Sequence, residues 1–125
     1  MLRLDWSPVL EHTERKVVMY APREGGVYWL SYQSGDERII FYVSQAPNLS
    51  ERLLAHLSDN EPNACIKSHV QDHKCSFRYA KIGNRFAEAA TIVNRNGAER
   101  ALYDEYRPTC NDDAPPGPPV DINLD

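Results

Sequence analysis

The sequence predicts an α+β fold in which a small three-stranded antiparallel sheet is flanked by helices, in the order β-β-α-linker-β-α. Three observations carry that expectation. Val27-Tyr28-Trp29-Leu30-Ser31-Tyr32 and Arg38-Ile39-Ile40-Phe41-Tyr42-Val43 are rich in β-branched and aromatic residues and are separated by turn residues, as in a hairpin. After Pro47 the apolar residues switch to helical spacing, and Cys75 to Ile82 returns to strict alternation. With 125 residues, 42% of them apolar and 26% charged, the chain is long enough for one domain with one sizeable core. Repeat arrays, collagen and wholesale disorder are excluded.

Residues 1–24 read as an irregular lead-in anchored by Trp6, Val9 and Leu10. The segment has room for one short strand, Val17–Tyr20, ended by Ala21-Pro22 because a residue before proline is pushed out of the helical region. Gly25-Gly26 opens the hairpin, and residues 33–37 have turn composition. Asn48 is a good N-cap with Glu51 three residues on. Leu49, Leu53, Leu54 and Leu57 then share one helical face, bordered by Arg52 and His56 one turn apart. Asn60-Glu61-Pro62-Asn63 stops that helix, and Ala64–Val70 can form another turn or two. Cys75–Ile82 is the third strand. Phe86, Ala89, Ala90, Val93, Leu102 and Tyr106 mark one long helix, or two broken near Gly97. Residues 112–125 form an acidic, Pro-rich tail expected to be disordered.

Charge is uneven. The chain carries 14 Lys+Arg against 18 Asp+Glu, net −4, which at face value opposes a polyanion partner. The tail, however, holds Asp112, Asp113, Asp121 and Asp125 and no basic residue, so the body through Asn111 is neutral. Within it, Lys67, Lys74, Arg78, Lys81 and Arg85 interleave with Phe77, Tyr79 and Phe86. Such a tract can follow a phosphate backbone or form the solvated face of an amphipathic strand. No apolar run is long enough for a membrane span, and no hydrophobic signal core follows Met1. Three cysteines at irregular spacing argue against a disulfide framework and for reduced thiols, hence a cytoplasmic location. Cys65, His69, His73 and Cys75 offer zinc-ligand types close together, but their spacing matches no common zinc motif.

Gly26-Val27-Tyr28 on the first hairpin strand and Tyr42-Val43-Ser44 on the second resemble the paired tripeptides of the GIY-YIG nuclease family. Asn48–Leu57 resembles that family's helix, which carries a catalytic Arg ten residues after the second motif's Tyr, here Arg52. Glu99, followed by Pro108-Thr109-Cys110-Asn111, is similar to the family's metal-binding Glu ahead of a Pro-x-x-Asn ending. The resemblance covers residues 25–111. It implies an endonuclease that hydrolyses DNA phosphodiester bonds with Mg²⁺ or Mn²⁺ held by Glu99. Tyr28 would be the general base and Tyr42 would position water or phosphate. Arg52 would stabilise the phosphate, His56 would orient Tyr28 or touch the phosphate, and Asn111 would brace the site. Those residue types suit the chemistry: a hard divalent cation prefers oxygen ligands, and guanidinium presents a bidentate fork to phosphate. Glu88 is the alternative metal carboxylate. Ser44 stands where the family typically has Gly, which raises the alternative of a catalytically degenerate module that binds nucleic acid or a protein partner.

Overall fold

The computed structural model describes residues 2–82 and 92–125. In chain order its elements are β1 (Leu4–Trp6), β2 (Leu10–Glu11), α1 (Glu14–Tyr20), β3 (Gly26–Ser34), β4 (Glu37–Ala46), α2 (Leu49–Ala55), α3 (Ala64–Asp72), β5 (Cys75–Ile82) and α4 (Ile92–Tyr106). The strands form an antiparallel sheet ordered β1-β5-β3-β4, with β2 also paired to β5. The α+β class is as expected, but among the described residues the sheet has five strands rather than three. The two additional strands come from the lead-in and are 3 and 2 residues long, too short to show an alternation.

The other lead-in expectation is corrected as well: Val17–Tyr20 is helical. Thr13 caps α1 by accepting from the Lys16 N–H, and only Val17 of the helix is buried. Its β-branched and aromatic residues Val18 and Tyr20 are exposed, so their strand propensity is not decisive. Ala21 is extended before Pro22, as the pre-proline rule requires. His12, which has no neighbouring motif to mark it in the sequence, is buried. Its Nε2–H donates to the Leu53 carbonyl at 3.0 Å, tying the lead-in to α2.

The sheet separates two packed layers. One face holds Tyr28, Leu30, Phe41 and Phe77 against Val17 of α1, Leu49 and Leu53 of α2 and Ile66 of α3. The opposite face holds Val27, Trp29, Val43, Ala80 and Ile82 against Ala98 and Leu102 of α4. A bulge interrupts this alternation. Leu30 pairs with Tyr42 but Ser31 pairs with Ile40, leaving Phe41 as an extra residue in β4. Phe41 and Tyr42 consequently both pack toward the α1–α3 layer. Gly35, with φ 61°, makes the tight turn between β3 and β4, shorter than the five-residue turn read from composition.

Over its described length α4 is one continuous helix that runs through Gly97. That glycine serves a close approach rather than a break: a Cβ there would lie 2.6 Å from Val120 Cγ1. The expectation of a disordered tail is therefore corrected. Val120 N–H donates to Gly97 O, Leu2 bridges Ile122 in parallel, and Ile122 and Leu124 pack on the α4 side of the sheet. Asn123 Oδ1 accepts from Leu4 N–H at 2.7 Å while its Nδ2 donates to Leu4 O at 2.8 Å. Asn111 does the same at Val43 of β4, with bonds of 3.0 and 2.8 Å.

The reading of three reduced thiols is overturned too. Cys65 and Cys110 form a disulfide, and Cys75 is the one free cysteine. Their meeting depends on tertiary structure that spacing does not reveal. Cys110 N–H bonds Phe41 O, and Asn63, the N-cap of α3, donates its Nδ2 to Cys110 O. The thiol argument for a reducing compartment falls with it. Among the described residues no helix is long and apolar enough to cross a membrane.

Candidate active site

Four of the residues singled out in the sequence line or adjoin one open cleft of about 590 Å³ between the end of β4, α2 and the loop after α2. Tyr42, Arg52 and His56 are in its wall, and Glu61 lines it beside His56. Tyr28 reaches it from beneath, through a 2.6 Å hydrogen bond to His56 Nε2. Local chemistry explains the placement. Asn48 Oδ1 accepts from Glu51 N–H, starting α2 where expected, and burial of Leu49 and Leu53 fixes its rotation. Arg52 is left exposed in the cleft and His56 sits at the C-cap, 4% exposed. Gly26, where β3 enters the site, has no room for a side chain, because a Cβ would run into the Ala80 carbonyl oxygen and Leu49.

The two tyrosines lie on neighbouring strands with ring centroids 6.3 Å apart, and Tyr42 meets the His56 ring edge at 5.4 Å. Burial pushes the Tyr28 phenol well above its ordinary value; the nearby Tyr42 adds to this and the Arg52 charge opposes it. Burial also raises Tyr42, against the Ser44 hydroxyl and the Arg52 charge, which lower it. His56 is pushed down by burial and partly held up by Glu61, whose Oε2 is 2.9 Å from Nδ1. A carboxylate only accepts, so Nδ1 carries the ring proton and Nε2 accepts from the Tyr28 hydroxyl.

Glu99 reaches the same neighbourhood from α4, which packs on β4. Burial raises its carboxyl above the ordinary value, while hydrogen bonds from the Ser44 hydroxyl and the Gln45 backbone and the Arg52 charge lower it. Ser44 pairs with Tyr28 across the strands and touches the titration of Tyr28, Tyr42 and Glu99. Its hydroxyl is accommodated among these groups. A half-buried carboxylate raised by desolvation is a group that a divalent cation would stabilise, and one carboxylate plus waters suits Mg²⁺ or Mn²⁺. Glu88, the alternative carboxylate, lies outside the described residues, as do Arg85 and Phe86.

Asn111 is not in the cleft. Its amide is committed to the Val43 backbone, between Tyr42 and Ser44. Glu61 is the site residue that the sequence reading missed. It appeared only as part of a helix-breaking tetrapeptide, although a carboxylate five residues beyond His56 was a visible signal.

The structure does not assemble the four residues of the zinc reading. Cys75 donates its thiol to His69 O at 3.3 Å, and burial pushes that thiol up to about 11. His73 stacks on Tyr32 at 4.1 Å. Among the described residues, Cys65, His69 and Cys110 do come within 4.8 Å, but the two sulfurs are bonded to one another. Nor do the described basic residues of the 67–86 tract form one phosphate-tracking line. Arg78 lies over Trp6 at 4.9 Å and donates to Ser7 O, Lys81 is 3.8 Å from Glu24, and Phe77 is buried. The tract serves the strand more than a ligand.

No family model matches the sequence, and no curated protein matches it. Solved structures do. Three are of the GIY-YIG N-terminal endonuclease domain of UvrC from Thermotoga maritima. One, a point mutant with Phe in place of a Tyr, bound to its catalytic divalent cation, aligns with a TM-score of 0.51 at 23% identity over 78% of this chain and 93% of that one. The magnesium-bound domain gives 0.50 at 24% identity, covering 78% and 94%. A second Tyr-to-Phe mutant with the cation gives 0.50 at 23%, again covering 78% and 94%. The chain has a GIY-YIG-like fold.

Proposed function

We propose that this GIY-YIG-like domain is a metal-dependent endonuclease that hydrolyses DNA phosphodiester bonds. The observation that supports it most is the convergence of Tyr28, Tyr42, Arg52 and His56 on one solvent-open cleft, with Glu99 arriving from the opposite layer of the sheet. Phosphodiester hydrolysis needs a proton acceptor for water, positive charge opposite the phosphate and a stabilised leaving oxygen. In this reading Tyr28 accepts the water proton and Tyr42 orients the water or the phosphate. The exposed Arg52 guanidinium grips two phosphate oxygens in a planar fork. Glu99 would hold Mg²⁺ or Mn²⁺, which when bound supplies Lewis-acid stabilisation of the phosphate. Asn111, by pinning Val43, keeps Tyr42 and Ser44 in register. The relatives of known structure that carry a catalytic divalent cation favour the same reading.

The test is nicking of supercoiled plasmid with Mg²⁺ or Mn²⁺, and of a branched or damaged duplex in parallel. Tyr28→Phe is expected to lower the rate about 10²- to 10⁴-fold, and Arg52→Ala about 10²- to 10³-fold. Glu99→Ala is expected to abolish the metal-stimulated cleavage. Wild-type turnover no higher than that of these variants on every substrate sinks the proposal.

A further inference from the structure

Glu61 lies in the same cleft, its side chain 6% exposed, and the nuclease reading gives it no task. We propose that Glu61 is a positioning residue that holds the His56 ring with Nδ1–H toward its carboxylate and Nε2 bare toward Tyr28, making His56 the group that receives the Tyr28 proton. The inference rests on the reading of Tyr28 as general base. It is carried by two short contacts in series, 2.6 Å from Tyr28 to Nε2 and 2.9 Å from Nδ1 to Glu61, in a pocket where all three side chains are buried.

The chemistry explains why such a series is needed. A buried phenol that resists ionisation is a poor base by itself, because the phenolate would be left without solvent. If the phenol passes its proton to Nε2 as its oxygen takes one from water, no free phenolate accumulates. The water oxygen uses the freed electron pair to form the new P–O bond. The scissile P–O bond breaks with its pair on the leaving oxygen, which takes a proton from solvent. His56, now imidazolium, sits against a carboxylate instead of alone in a desolvated site, and returns its proton to solvent through Tyr28 after product leaves. The groups facing His56 are Tyr28 from β3, Tyr42 from β4, Arg52 from α2 and Glu61 from the following loop. His12, on the segment before α1, senses its charge at longer range. Arg52 opposes the imidazolium, and Glu61 counters it.

Glu61 is itself held in place. Its second oxygen accepts from Asn63 N–H at 3.1 Å, and Asn63 caps α3 and donates to Cys110 O. A purely structural role in this loop is therefore the rival, and the experiment separates the two. In the full chain, Glu61→Gln keeps an acceptor oxygen but removes the charge, and Glu61→Ala removes both. Imidazole ¹⁵N spectra, with His56→Gln to assign the resonance, are expected to show the Nδ1–H form in wild type. The protonation midpoint should lie below 6.5 and move lower in both variants, because the carboxylate is what holds it up.

Single-turnover plasmid nicking with Mg²⁺ is expected to fall roughly 10- to 100-fold in Glu61→Gln at unchanged DNA half-saturation. Its acid limb should shift down in step with the ¹⁵N midpoint. A rate lowered equally at every pH with the midpoint unmoved, or an unchanged rate, overturns the proposal. If wild type nicks no DNA, the nuclease reading and this proton route fall together. If wild type nicks while the ring shows the Nε2–H form, only the Glu61 assignment falls.

Discussion

The Cys65–Cys110 disulfide closes a segment with a sequence separation of 45 residues, and its removal is a perturbation whose size follows from that separation. Chain-entropy reasoning gives about 13 cal/mol/K for a loop of this length, or about 4 kcal/mol at 25 °C, gained by restricting the unfolded chain. For a domain of this size that corresponds to a fall in Tm of roughly 10–20 °C on reduction or in a Cys65→Ala/Cys110→Ala double variant. Alanine is the appropriate replacement, since Cys110 is buried and a hydroxyl there would need a new partner. The assay has two parts. Thiols are first counted in denaturant without reductant, where one is expected in fresh protein and three after reduction, and thermal unfolding is then followed by circular dichroism. Three thiols in the unreduced protein, or a Tm that moves by less than about 2 °C on reduction, refutes the reasoning. The loss should also reach the site, because Asn63 and Asn111 lie two residues and one residue from the bridged cysteines.

Acid should expose the cost of burying His12. Its pKa is lowered to about 4, chiefly by desolvation, so the unfolded chain binds the proton more readily. The stability from keeping this ring neutral is complete above pH 6.5 and drains away as pH falls toward 4, by about 2 kcal/mol between pH 7 and pH 5. Urea unfolding at the two pH values measures it, and a wild-type loss no greater than that of His12→Leu counts against the assignment. Deleting residues 112–125 should lower the urea midpoint by an amount equivalent to roughly 2–4 kcal/mol, because Val120, Ile122 and Leu124 leave the α4 layer and Asn123 leaves Leu4. An unaltered midpoint would restore the picture of a loose acidic arm.

What could be read from the sequence was what local chemistry determines. The hairpin, α2 and β5 each carry a periodicity, and Asn48 a cap, so the elements that bear Tyr28, Tyr42 and Arg52 were legible, whereas grouping the three rested on the family resemblance and the bulge at Phe41 left no signal. What escaped was set by distant partners. β1 and β2 exist because β5 offers them an edge, and the tail is ordered because Gly97 leaves a groove for Val120. Val17–Tyr20 had strand-like residues, but Thr13 and a single buried position decided for helix. Glu61 acquires meaning only when the turn after α2 folds its carboxylate back onto His56.

The two amide clamps have a consequence for how copies of the chain meet. β4 and β1 lie at opposite borders of the sheet, where open backbone groups would template further strands and lead to intermolecular sheet growth. At each border one asparagine acts as a one-residue substitute for the missing neighbour, Asn111 on Val43 and Asn123 on Leu4. An incoming strand would have to evict an amide that already makes both bonds. Asn111, which the resemblance offers as a brace for chemistry, thus also guards the sheet against self-association, and replacing it should show as turbidity on storage as well as in lost turnover.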